Sequence, residues 1–153
     1  RFLVQIDVDY PDLEAERRIL METTGAEEAS AAKAISAKEL QKIQSLVRKM
    51  PVGESVVEAI LGLVRSARPL ADGGDENAST KHISWGPGPR ASQALMLTVR
   101  ARALLDGRLA PSVDDVLALA EPVLQHRMAL NFAARAEGVT VRSVISELKQ
   151  SWM

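Results

Sequence analysis

The sequence contains no cysteine, which removes disulfides, thiolate metal sites and cysteine nucleophiles together. Aromatic residues make up only 3%, while alanine, leucine and arginine abound, so the core is expected to be aliphatic and helix-built. No apolar run approaches the roughly 20 residues needed to cross a bilayer, and no signal peptide is visible. A cytoplasmic protein without a membrane span is therefore expected. Neither sign of charge dominates, since the formal net charge is −1, and this argues against a strongly basic nucleic-acid-binding domain. The halves differ mildly, at −4 over residues 1–77 and +3 over residues 78–153. That asymmetry is compatible with a small anionic ligand near the second half.

What is present, 153 residues of which 46% are hydrophobic and 25% charged, fits one domain able to bury a core. The chain begins at Arg1 and enters directly on a period-two pattern, with Phe2, Val4, Ile6 and Val8 on one face. That alternation predicts a strand over residues 2–8. A lone strand needs ladder partners, so the chain is expected to be a fragment whose strand is either disordered or paired with another chain, exchange between copies being one form of that pairing. Tyr10-Pro11-Asp12 turns the chain, and Asp12 is placed to cap a helix from Leu13 to about Thr24. Beyond a small-residue linker over residues 26–34, Ser36 and Glu39 form a capping box for a helix carrying Leu40, Ile43, Leu46, Val47 and Met50 on one stripe. Pro51 stops it, and a further helix is predicted from about Glu54 to Ala67. The polar run Asp72 to Asn77 reads as a mobile loop.

The next stretch, Trp85-Gly86-Pro87-Gly88-Pro89-Arg90-Ala91-Ser92, is the best functional candidate. Pro89 suits the first helical position and Gly88 the cap before it. Arg90 then falls in the first turn, where the helix dipole disfavours a cation by a few tenths of a kcal/mol up to roughly 1 kcal/mol. A bound anion would reverse the sign, because backbone N–H groups and a guanidinium fork both suit phosphate oxygens. An exposed arginine beside a turn is the plainer alternative. The helix should run to about Leu105 with Ala91, Ala94, Leu95, Thr98, Ala101 and Leu105 facing inward, closed by Gly107. Ser112 caps another helix that Pro122 should kink or divide, and a last one follows Thr140 with Val141, Val144, Ile145, Leu148 and Trp152 on its inner face.

Four pieces in this order resemble the C-terminal lid domain of MoxR-type AAA+ ATPases. They are Arg1-Phe2 with Tyr10-Pro11-Asp12 and Glu16; Gly88-Pro89-Arg90-Ala91-Ser92; Gly107-Arg108 followed by Pro111-Ser112-Val113-Asp114-Asp115-Val116; and Pro122-Val123-Leu124-Gln125-His126-Arg127. The resemblance implies an all-α helical bundle preceded by one short β-strand left from an α/β ATPase core. Residues 1–10 would be that strand and a hinge, and residues 11–153 the helical lid. It also implies that Arg90, with Gly88 and Pro89, is the sensor-2 element facing the nucleotide phosphates. Arg1 resembles an arginine finger inserted into a neighbouring subunit. The implied cofactor is ATP with Mg, and the implied partners are neighbouring subunits of a homo-oligomeric ring and protein clients that the ATPase remodels or assembles. The family's usual Gly-x-Ser-Pro-Arg is here Gly86-Pro87-Gly88-Pro89-Arg90, with glycine at the serine position. Walker A and Walker B elements are absent from these residues, so the chain alone is not expected to hydrolyse ATP.

Other residues invite weaker readings. His126 beside Arg127 has no carboxylate or nucleophile at a completing spacing, which favours packing or capping over catalysis. Asp114 and Asp115 sit in a helix's first turn, where acids favour the dipole, and no metal is assigned. Trp85 can stack on an adenine ring or anchor its loop. A stand-alone helical adaptor binding partners through an apolar groove is the alternative function. A helix-turn-helix DNA binder ranks last, because Arg90, Arg100, Arg102 and Arg108 do not gather on one narrow face.

Overall fold

A computed structural model describes residues 2–25, 30–69 and 80–152. Arg1, the start of the 26–34 linker and the polar run 72–77 lie outside the described residues. Seven α-helices occur among the described residues: α1 (Leu13–Thr23), α2 (Ala37–Lys49), α3 (Glu54–Ser66), α4 (Pro89–Leu105), α5 (Val113–Leu124), α6 (Phe132–Ala136) and α7 (Val141–Gln150). Their starts follow local capping chemistry. Asp12 Oδ1 accepts from the Ala15 N–H at 2.8 Å, Ser36 and Glu39 close their box, and Thr140 Oγ1 accepts from the Ser143 N–H at 3.0 Å. Each such cap contributes about 1 kcal/mol. Gly107, at φ 72°, turns the chain out of α4 in the left-handed conformation that glycine adopts without strain.

The core is built by α3, α4, α5 and α7, with Leu63, Leu95, Val99, Val116, Leu124 and Val144 buried within it. α4 is central and packs against α5, α3 and α2. Its buried face is Ala91, Ala94, Leu95, Val99 and Ala103, rotated from the expected stripe. Thr98 and Ala101 are only half-buried, and Leu105 is 87% exposed. The i, i+4 series 91, 95, 99 and 103 forms one buried row with alanine at both ends. Pro122 does not divide α5, which continues to Leu124 and passes into a 3₁₀ turn, Gln125–Arg127. The proline lies in the last helical turn, where its missing N–H leaves only the exposed Ala118 carbonyl without that bond. Val144, Ile145 and Leu148 of α7 are buried as expected. The Trp152 ring takes the space a side chain at Gly62 would need, since a Cβ there would lie 2.1 Å from Trp152 Cζ2. By contrast α1 and α2 bury no residue, and Leu40, Ile43 and Leu46 stay exposed.

The strand expected over residues 2–8 does not form. The sheet that does occur among the described residues pairs β1 (Ile83–Trp85) antiparallel with β2 (Ala129–Leu130), Ile83 opposite Leu130 and Trp85 opposite Ala129. Among the described residues no strand pairs with residues 2–8. Their backbone instead meets the end of α5: the Gln5 N–H donates to the Pro122 carbonyl at 2.8 Å, and Gln125 Nε2 donates to the Gln5 carbonyl at 2.9 Å. Helix C-termini leave carbonyls unpaired, so the segment finds acceptors there without a ladder. It is thus held by side chains and backbone of its own chain rather than in a ladder.

A buried carboxylate fixes the corner between α4 and α5. Asp115 is 3% exposed and receives Arg108 in a fork, Nη1 at 2.8 Å and Nη2 at 2.7 Å, with Arg102 Nε at 3.1 Å and the Ser112 N–H at 2.8 Å. The Arg108 guanidinium holds the Asp115 carboxyl down to about 2, outweighing desolvation, which pushes it up. Asp115→Asn is expected to lower unfolding free energy at pH 7 by about 1–3 kcal/mol in urea titrations. Because the folded-state value lies below the ordinary one of 3.8, this stabilisation is present above that pH and lost as pH falls toward 2. The variant and wild-type curves should converge over that window.

Candidate functional site

The Arg90 stretch is held from two sides. On one, β1 pairs with β2, and the chain beyond β2 is tied back by the Asn131 N–H to the His82 carbonyl at 2.9 Å. On the other, Arg68 Nε donates to the Pro87 carbonyl at 2.8 Å. Gly86 lies so close to the end of α3 that a Cβ would fall 2.4 Å from the Ala67 carbonyl oxygen and 2.8 Å from Arg68 Cα. Both obstacles are backbone. Pro87 is buried, Gly88 is the extended cap, and Pro89 opens α4 at its first position. Gly88 is required by neither space nor conformation here, because a Cβ would meet nothing within 4 Å and its φ is −85°.

Arg90 is exposed, and among the described residues its side chain has no hydrogen bond or ion pair. No acidic residue occupies the first turn of α4, so nothing offsets the repulsion between this cation and the positive helix end. The backbone adds less than the pattern suggested. Pro89 has no N–H, and the Ala91 N–H already donates to the Gly88 carbonyl at 2.9 Å. The capacity for an anion rests chiefly on the guanidinium.

Arg90 borders an open cleft of about 450 Å³, lined with Phe2, Trp85, Pro89, His126 and Arg127 among others. A second cleft of about 320 Å³ shares Phe2, Arg90 and Arg127 and adds Leu3, Gln93 and Leu97. Trp85 is 60% exposed beside the first cleft, so its ring is available to a ligand rather than sequestered as an anchor. Arg127 is drawn toward its neutral form by burial and bonds to backbone carbonyls, Nη1 to Leu3 at 3.1 Å and to Val123, and Nη2 to Phe2. His126 Nε2 lies 2.6 Å from Arg127 Nη1 and 3.3 Å from the Phe2 carbonyl. The shorter contact requires its lone pair, which puts the proton on Nδ1, an atom buried without a partner among the described residues. No carboxylate touches this histidine, so the arrangement lacks the orienting acid of a base catalyst. Sequence reasoning singled out Arg90, Trp85 and His126 but not the convergence of Arg127 and Phe2 on the same cleft. They are far apart in the chain, and no local spacing signals their meeting.

Residues 75–148 match the AAA lid domain family. The chain is 28% identical over 151 residues to Chaperone MoxR1 of Mycobacterium tuberculosis, covering 99% of this chain and 40% of that protein. It is 28% identical over 149 residues to the uncharacterised protein YeaC of Bacillus subtilis, covering 97% of this chain and 43% of that one. The crystal structure of a candidate ATPase from Cytophaga hutchinsonii superposes with a TM-score of 0.87 at 27% identity, over 98% of this chain and 46% of that chain. The chain therefore spans less than half the length of these relatives. Fold and family match together define an AAA+ lid module. Within that class the chain fits the C-terminal lid of a MoxR-type AAA+ ATPase.

Gly86→Ala is expected to destabilise the domain by about 1–3 kcal/mol, because the new methyl must push backbone apart. Thermal unfolding followed by circular dichroism checks this, with Gly88→Ala as the tolerated control.

Proposed function

We propose that this domain is the sensor-2 lid of a MoxR-family ATPase, and that Arg90 couples nucleotide occupancy in an ATPase core to the angle of the lid. The observation that carries the reading is an exposed, unpaired guanidinium at the start of the central helix, beside a cleft with a free aromatic face. The residues fit a nucleotide's terminal phosphate: Arg90 would hold its oxygens as a fork, and Trp85 offers a face suited to the base. ATP with Mg supplies the hydrolysable phosphoanhydride, whose main ligands would come from a core outside these residues. In this reading residues 1–10 belong to the end of that core and the hinge, and residues 11–153 are the lid itself. Neighbouring subunits of a homo-oligomeric ring, cytoplasmic localisation and chaperone-like remodelling of partner proteins belong to the same reading, supported by the similarity to Chaperone MoxR1.

In the full-length protein, Arg90→Ala is expected to reduce ATP turnover on the order of 10- to 100-fold, as removal of one charged phosphate contact does, with melting temperature unchanged. Turnover and nucleotide affinity both equal to wild type would sink the role.

A further inference from the structure

Residues 2–5 are attached to the lid by polar bonds and by partial apolar contact. Phe2 is 83% exposed, whereas Leu3 and Val4, 44% and 36% exposed, line a cleft with Val47, Leu97 and Ala101, and no residue of the segment is buried, so apolar burial is incomplete and the polar bonds fix its position. The neutral bonds are those of Gln5 to Pro122 and of Gln125 to Gln5. The charged ones all come from Arg127. One planar group reaches the consecutive carbonyls of Phe2 and Leu3 and the Val123 carbonyl in the last turn of its own helix. Bonds from a cation are roughly twice as strong as neutral ones. The same carbonyls also satisfy a guanidinium that no carboxylate accompanies among the described residues. Both Nη atoms are engaged, so the fork that holds residues 2–3 is not free for an anion in the cleft while the segment stays attached. Phe2 and Leu3 are at the same time walls of the clefts that Arg90 borders.

We propose that Arg127 is a positioning residue for Arg90: it latches residues 2–3 to the end of α5, so that the joint and the cleft wall move with the lid as one piece. The inference rests on the reading of Arg90 as the phosphate contact. Arg127 itself touches no phosphate. A lysine cannot serve in its place, since a single ammonium lacks the fork that spans Val123 on one side and Phe2 and Leu3 on the other.

The test compares Arg127→Ala, Arg127→Lys, Arg90→Ala and the Arg90/Arg127 double variant in the full-length protein, reading kcat with MgATP, affinity for MgADP and amide exchange at Gln5. The expected result is a kcat about tenfold lower for both Arg127 variants, MgADP affinity within about twofold of wild type, and faster exchange at Gln5. The double variant should be no slower than Arg90→Ala alone, as for residues acting through one contact. Normal turnover in Arg127→Ala beside an impaired Arg90→Ala would overturn the latch and leave the Arg90 reading standing. Normal turnover in Arg90→Ala would remove that reading and the latch with it. Losses that multiply in the double variant would show Arg127 acting independently and overturn the proposal. Should Arg127→Ala not fold, Gln125→Ala removes only the neighbouring bond to Gln5. It is expected to lower kcat two- to threefold, and an unchanged kcat there also overturns the latch.

Discussion

The burial of one face of α4 is the constraint on which the rest depends. Ala91, Leu95, Val99 and Ala103 form one fully buried row on the helix that packs against α3 and α5. Arg90 is the residue immediately before that row. Rotation of the helix by a single position would exchange a buried methyl for a guanidinium, so the hydrophobic packing that stabilises the domain also sets where the free cation points. The other end of α4, about 25 Å away along the axis, is anchored through Arg102 and Arg108 on Asp115. The helix behaves as a strut fixed at the corner farthest from the cleft.

Two arginines at the cleft show how partner chemistry divides roles between like residues. Arg90 has an incomplete set of interactions, which is what a residue waiting for an external ligand requires. Arg127 has both Nη atoms engaged, by the carbonyls of Phe2, Leu3 and Val123 and by His126 Nε2, and no acid accompanies it among the described residues. A guanidinium so held keeps geometry without neutralising charge, and the local field in the cleft stays positive.

Helix positions were legible because capping is local: Asp12, Ser36 and Thr140 each declare a boundary through bonds to residues three positions on, and Pro89 through its fixed φ at the first helical position. Features set by distant partners were not. Residues 2–8 alternate like a strand, but alternation specifies a face and not a ladder, and among the described residues no strand pairs with them. β1 and β2 are three and two residues long, too short to carry a period. The inward face of α4 was displaced because small residues on several sides of that helix left its buried side ambiguous, and the choice fell to α3 and α5. Asp115 was legible as a capping acid, whereas its enclosure by Arg102 and Arg108 depends on how the chain doubles back after Gly107. In the site, Arg90 could be found from Pro89 and the helix start, but Arg127 and Phe2 meet across more than a hundred residues.

The chain holds two tryptophans, and the fold gives them separate environments. Trp85 stands in water at the rim of the cleft, whereas Trp152 lies half-covered on the bare backbone of Gly62, away from it. Their emission therefore divides into two optical reporters. A red-shifted, quencher-accessible band follows what occupies the cleft, and a shielded one follows the seating of α7 on α3. A ligand that perturbs the first alone acts at the site, and one that perturbs both has loosened the bundle.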